Sequence, residues 1–167
     1  MSFVTPPAHE IVTATIPEEI QQCLHVRIEV FVNEQRFSLN DEIDQYDSDP
    51  TATHILLRLI PSLTPIGTIR GNRFDKDECY YKLSRLAVLQ PYRQYKFGRA
   101  LVDALHNYIK TDAKRHVGSD ASTVKVIAHS QIPVKGFYAK FGYIPEGPEF
   151  DEDGDPHQKM VLQLPLE

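Results

Sequence analysis

Residues 86–105 read LAVLQPYRQYKFGRALVDAL, and the reading of the fold starts there. The apolar run Leu86, Ala87, Val88, Leu89 has strand character and stops at Gln90-Pro91. A basic, aromatic segment follows, and Gly98 then opens a stretch with helical spacing of apolar residues. In a strand–turn–helix unit the helix start presents unpaired N–H groups and about half a positive charge, which attracts phosphate. Arg93, Lys96 and Arg99 crowd this turn in a chain whose formal net charge is −5. Such a local surplus of cations fits either a polyanionic ligand or a basic corner beside acidic loops. The turn carries one glycine, Gly98, and Lys96 stands where a second is expected.

The 167 residues suit a single domain, 1–167, with a sizeable core. An acidic balance argues against nucleic-acid binding, whose footprint is a basic surplus. No apolar run approaches the roughly 18 residues that span a membrane. No basic region followed by an apolar stretch opens the chain, so no signal peptide is expected. Cys23 and Cys79 form no ligand-spaced pattern and read as reduced core thiols of a cytoplasmic protein.

Outward from the opening stretch, HEIVTATI (residues 9–16), THILLRLI (53–60), PIGTIRGNRF (65–74), YKLSRLAVL (81–89) and STVKVIAHS (122–130) read as strands. Thr15, Pro17, Glu18 and Glu19 mark a helix start, and the spacing predicts a helix over about 17–31. A second helix is expected from about 98 to 115, and a short one in PVKGFYAKFG (133–142), stopped by Gly142. The end of the chain reads as two strands joined by an acidic turn. The order implies an α+β (mixed α/β) fold, with helices packed on a sheet.

In the first helix Ile20, Cys23, Leu24 and Phe31 share a face, and Arg27 falls inside that stripe. An arginine there either reaches out to solvent at the edge or meets carboxylates, because a buried unpaired charge is costly. Asp41, Glu42, Asp44 and Asp47 follow in NDEIDQYDSD (40–49) as candidate partners, or as an ordinary solvated loop. His54, His129 and His157 have no metal-ligand spacing, so no metal is expected.

Taken in order, these pieces resemble a family. LAVLQPYRQYKFGRAL is similar to the acyl-CoA-binding segment R/Q-x-x-G-x-G/A of the GCN5-related N-acetyltransferases, with Arg93 first, Gly98 last and Lys96 in place of the middle glycine. QIPVKGFYAKFGYIPEG (131–147) resembles the second signature, matched at Tyr138 and Gly142-Tyr143. VRIEVFVNEQ, EIDQYD, His54, AHSQ and DEDGDPHQKM fall in the order of the ElaA-type branch, so the likeness covers the chain from about residue 20 onward.

The resemblance implies the splayed, mostly antiparallel sheet of that family, acetyl-CoA as acyl donor and no metal. Pantetheine would pair with main-chain groups of Leu86, Ala87 and Val88. The pyrophosphate would sit on the turn from Arg93 through Gln94, Tyr95, Lys96, Phe97 and Gly98 to Arg99 and Ala100. Tyr138 would be the acid for the departing thiolate, and a main-chain N–H at the end of the fourth strand would serve the oxyanion. Glu34 is the first candidate base, with His129 and His157 as alternatives or as structural residues. Arg27, Phe31, Glu34, Glu42, Asp44, Asp47, His129, Asp155 and His157 are the candidate acceptor-site residues. Their acids would form an anionic mouth for a small cationic amine such as glucosamine or another amino sugar, a polyamine or an amino acid derivative. Competing expectations are an acyl-homoserine-lactone-synthase-like enzyme using S-adenosylmethionine, and a CoA-binding sensor without turnover. No nucleic-acid or membrane partner is expected, and a homodimer is compatible with the sequence.

Overall fold

The computed structural model describes residues 4–167. The chain forms two compact units, Met1–Arg70 with Arg85–Leu105, and Gly71–Ser84 with His106–Glu167. Three continuous elements, β3 (Pro65–Phe74), β4 (Tyr80–Val88) and α3 (Phe97–Ala113), run from one unit into the other. The boundary therefore falls inside regular structure and not in a linker.

In the first unit β1 (His9–Thr13) lies antiparallel to β2 (Ala52–Leu59), from His9 opposite Leu59 to Thr13 opposite Ile55, and the strand order is β1-β2-β3-β4. β2 is buried at five consecutive positions, Thr53–Leu57, as a strand covered on both faces must be. Gly67 on β3 admits the next layer: a Cβ there would lie 3.0 Å from Leu57 and 3.1 Å from Leu101. Helix α1 (Pro17–Arg27) begins with Pro17, whose missing N–H is no loss at that position, and with Glu18 and Glu19 at its positive end. Glu19 also accepts the Thr15 amide at 3.1 Å.

The α-helical part ends at Arg27, and the chain continues as a π-helix over Ile28–Glu34, where sequence spacing predicts plain helix to about Phe31. Apolar spacing does not separate the two geometries here. Val26, Val30 and Phe31 pack together with Ala87 and Leu89 across the change. A short helix, α2 (Leu39–Glu42), follows, its start capped by the Ser38 hydroxyl.

In the second unit β4 pairs in parallel with β5 (Thr123–Gln131) from Tyr80–Lys125 to Leu83–Ala128. β5 pairs antiparallel with β8 (Asp155–Pro165) along its whole length. Val124, Val126, Ala128 and Ser130 are buried, while the alternate positions are open, so β5 has one covered and one accessible face. Helix α4 (Lys135–Ala139) packs against β5 and β8. It stops where Gly142 takes φ +98°, a conformation that favours glycine. The end of the chain forms three strands in place of the expected two: β6 (Ile144–Pro145), β7 (Phe150–Glu152) and β8. Gly147-Pro148 interrupts the first of the expected pair, and the acidic turn joins β7 to β8. No helix among the described residues is long and apolar enough to cross a membrane.

Candidate active site

The opening stretch folds as β4, a 3-10 turn over Gln90–Tyr95, and α3. Leu89 donates its amide to the Ile66 carbonyl at 2.9 Å, so the end of β4 is fixed and that N–H is committed. Ala87 and Val88 are buried and Leu86 is half-buried. Lys96, between the turn and α3, adopts φ +60°, ψ +30°, the left-handed region in which a lysine is strained by about 1–2 kcal/mol. The sequence pattern asks for glycine there, and the backbone takes the glycine conformation with a lysine in place. The first intrahelical bond runs from Ala100 to Lys96, which leaves the amides of Phe97, Gly98 and Arg99 at the helix start as donors. Phe97 is buried, with its ring 4.7 Å from His9 and 5.5 Å from Tyr95. Arg93, Gln94, Lys96 and Arg99 are exposed, and Tyr95, Gly98 and Ala100 are half-buried.

Arg93 has partners of its own. Its Nε donates to the Val88 carbonyl at 2.8 Å, and both Nη atoms bond the Glu34 carboxylate at 2.6 Å. That two-pronged pairing holds the Glu34 carboxyl below the ordinary range. A carboxylate so held is a weak proton acceptor, which counts against Glu34 as the base.

Arg27 is fully buried and meets carboxylates, one of the two alternatives its position raised. Its Nε bonds Glu42 at 2.9 Å, Nη2 bonds the Glu42 carbonyl at 2.7 Å, and Nη1 bonds Asp47. Two arginines that the sequence reading missed complete the set. Arg70 bonds Asp44 and Asp47, each at 2.7 Å, and Arg85 bonds Asp44 at 3.1 Å. Burial pushes Asp47 upward, but the bonds and charge of Arg27 outweigh it and hold that carboxyl well below the usual range. Asp44 is likewise lowered, Arg70 overcoming burial. Glu42, Asp44 and Asp47 are thus matched one for one by guanidinium groups. They do not form the free anionic mouth expected of them, because each is spent on an internal ion pair. No local signal could have found Arg70 and Arg85, which reach the loop across 26 and 41 residues to Asp44. Phe31 stays half-buried beside this part of the unit, packed on Val30 and Ala87.

The second unit carries the other candidates. Tyr138 is buried in α4, with Phe137 5.3 Å and Tyr143 5.5 Å away in edge-on contacts. Burial pushes its phenol far up, and no described residue hydrogen-bonds the hydroxyl. Tyr143, by contrast, spends its hydroxyl on His106 at 2.8 Å. His129 Nδ1 lies 2.9 Å from Glu152 Oε1, and the Phe150 ring meets the imidazole edge-on at 5.0 Å. His157 is buried; its Nδ1 bonds the Asp155 carbonyl at 2.8 Å, and its Nε2 faces Glu152 at 3.7 Å. The Asp155 side chain is half-buried at the turn. Among the described residues no group of three or more His, Cys, Asp or Glu is placed to hold a metal.

These strands and helices define a class: the mixed α/β acyl-CoA N-acyltransferase fold. The profile of the acetyltransferase (GNAT) domain matches residues 26–164, and the chain belongs to that family. The Bacillus subtilis protein YyaT is 31% identical over 151 residues, covering 90% of this chain and 93% of its own. YjcF of the same organism, described as an uncharacterized N-acetyltransferase, is 28% identical over 151 residues, covering 90% and 96%. The crystal structure of Escherichia coli ElaA is 25% identical, covers 92% of this chain and 97% of its own, and superposes with a TM-score of 0.72. The chain is therefore a GNAT acetyltransferase.

Proposed function

We propose that the chain moves an acetyl group from acetyl-CoA to the primary amine of a small acceptor in the cytoplasm. The observation that carries the reading is Lys96. Its left-handed backbone keeps the form of a phosphate turn although the glycine is gone, and its ammonium adds charge beside the free amides of α3. Those amides, with Lys96 and Arg99, are the residues that would hold the pyrophosphate. Leu86, Ala87 and Val88 at the end of β4 would line the pantetheine, where a donor behind the committed Leu89 amide would serve the oxyanion. Acetyl-CoA supplies a thioester already activated toward amines.

Tyr138 serves the departing sulfur. Its phenol keeps its proton at neutral pH as an ordinary tyrosine does, and burial raises it further. An ordinary thiol titrates near about 8.5, well below such a phenol. Tyr138 therefore steadies the developing thiolate as a hydrogen-bond donor, and full transfer of its proton is uphill. The acceptor is a small amine, but the neutralised loop gives no electrostatic reason to favour a polycation, so amino sugars and amino acid derivatives stand level with polyamines.

A panel of free amines assayed for acetyl-CoA-dependent release of CoA tests the reading. Turnover with at least one small amine is expected. Turnover with peptides alone would sink the small-acceptor reading, and a demand for S-adenosylmethionine would replace it with lactone synthesis.

A further inference from the structure

We propose that His129 is the proton acceptor for the incoming amine and that Glu152 is its positioning residue; this rests on the N-acetyltransferase reading above. Glu34, the first candidate, is clamped by Arg93 on both carboxylate oxygens. His129 is arranged differently on each of its two nitrogens. Nδ1 faces an ionised carboxylate at 2.9 Å, so it carries the hydrogen and donates it. The neutral ring then has its lone pair on Nε2, and no described residue bonds that atom. The side chain is 26% exposed, so an acceptor amine can reach it.

The position on the strand supports the role. Parallel pairing of β4 with β5 ends at Leu83–Ala128, and His129 is the next residue, on the accessible face of β5. Tyr138 lies nine residues on, in the helix that packs against the same strand. Glu152 is fixed as well. It sits on β7 opposite Asp155, and the Phe150 ring packs against both His129 and His157. Sequence reading counted Glu152 among the acids that could extend the anionic mouth and did not pair it with His129, because the two lie 23 residues apart on different strands.

An ammonium acceptor gives one proton to Nε2 of His129, which becomes an imidazolium stabilised by Glu152. The freed lone pair forms the C–N bond as the thioester C–S bond breaks, and that bond's electrons leave with sulfur. The second nitrogen proton goes to solvent as the amide forms. The titratable side chains around the pair include Lys82 on β4, and Lys159 and His157 on β8. Lys159 pairs with Glu146 at 2.9 Å, and His157 Nδ1 with the Asp155 carbonyl at 2.8 Å.

Two readouts on the full chain test the proposal. Nitrogen-15 spectra of the histidine rings, recorded without any ligand, are expected to show His129 with hydrogen on Nδ1. Glu152→Ala is expected to mix the two tautomers, with the fold retained by circular dichroism. In the acetyl-CoA assay His129→Gln is expected to lower kcat about 100-fold while leaving the thermal shift given by acetyl-CoA unchanged. Glu152→Gln keeps an acceptor for Nδ1 but loses the charge, so it is expected to keep the hydrogen on Nδ1 while lowering kcat less than His129→Gln does, with KM unchanged. A His129→Gln chain within about twofold of wild type, or a free Nδ1 with hydrogen on Nε2, overturns the pair alone. Wild-type chain that acetylates no amine overturns the reading beneath it and the pair together.

Discussion

Lys96 and Glu34 each link a local conformation to a question about ligand binding. Lys96 holds a backbone that glycine adopts freely, so Lys96→Gly removes strain while adding chain entropy to the unfolded state. The expected net gain is up to about 1 kcal/mol in thermal denaturation. Acetyl-CoA should nonetheless bind several-fold more weakly, by calorimetry, because the ammonium is lost; tighter binding would mean that Lys96 marks a weakened site. Glu34→Gln is expected to release Arg93 for the phosphates and tighten acetyl-CoA, with kcat changed by no more than a few-fold. A collapse of kcat with unchanged affinity would restore Glu34 as the base. The sequence showed that position 96 was unusual, since the motif has glycine there. It could not show the φ angle, which is set by how β4 and α3 are anchored on either side.

Among the elements, the loop between α2 and β2 is held by ion pairs to Arg27, Arg70 and Arg85. Arg27→Met leaves Glu42 and Asp47 short of a buried partner, and a loss of about 3–5 kcal/mol is expected in urea denaturation. Asp44 and Asp47 are both depressed in the folded chain, so they stabilise it above the ordinary aspartate range and less as pH falls below about 4. Melting temperatures from pH 6 to pH 3 should fall at the acid end, and Asp47→Asn should flatten that fall while lowering the plateau. Strands β1 to β5 and helices α1 and α3 were legible because period-2 and period-3.6 patterns, Pro17 and the Gln90-Pro91 break are local signals. The π-helical stretch was not, since its packed face repeats what a plain helix gives. The arginine set was half legible: Arg27 was conspicuous as a charge in an apolar stripe, while Arg70 and Arg85 sit in strands where alternation allows a polar residue.

For the molecule as a whole, family membership rests on the domain profile matched over residues 26–164. Acetyl-CoA at about 100 times its dissociation constant should add about 2.7 kcal/mol to stability if it binds only the folded chain. A melting scan with and without it checks this, and no shift would argue against a functional site whatever the sequence pattern. The one-for-one matching of Arg27, Arg70 and Arg85 with Glu42, Asp44 and Asp47 also reaches this scale. Six charges that cancel contribute nothing to the formal −5, which is carried entirely by the other ionisable residues. Isoelectric behaviour and solubility are therefore set outside the arginine cluster. Replacing one arginine together with its carboxylate by neutral residues would leave the formal net charge at −5.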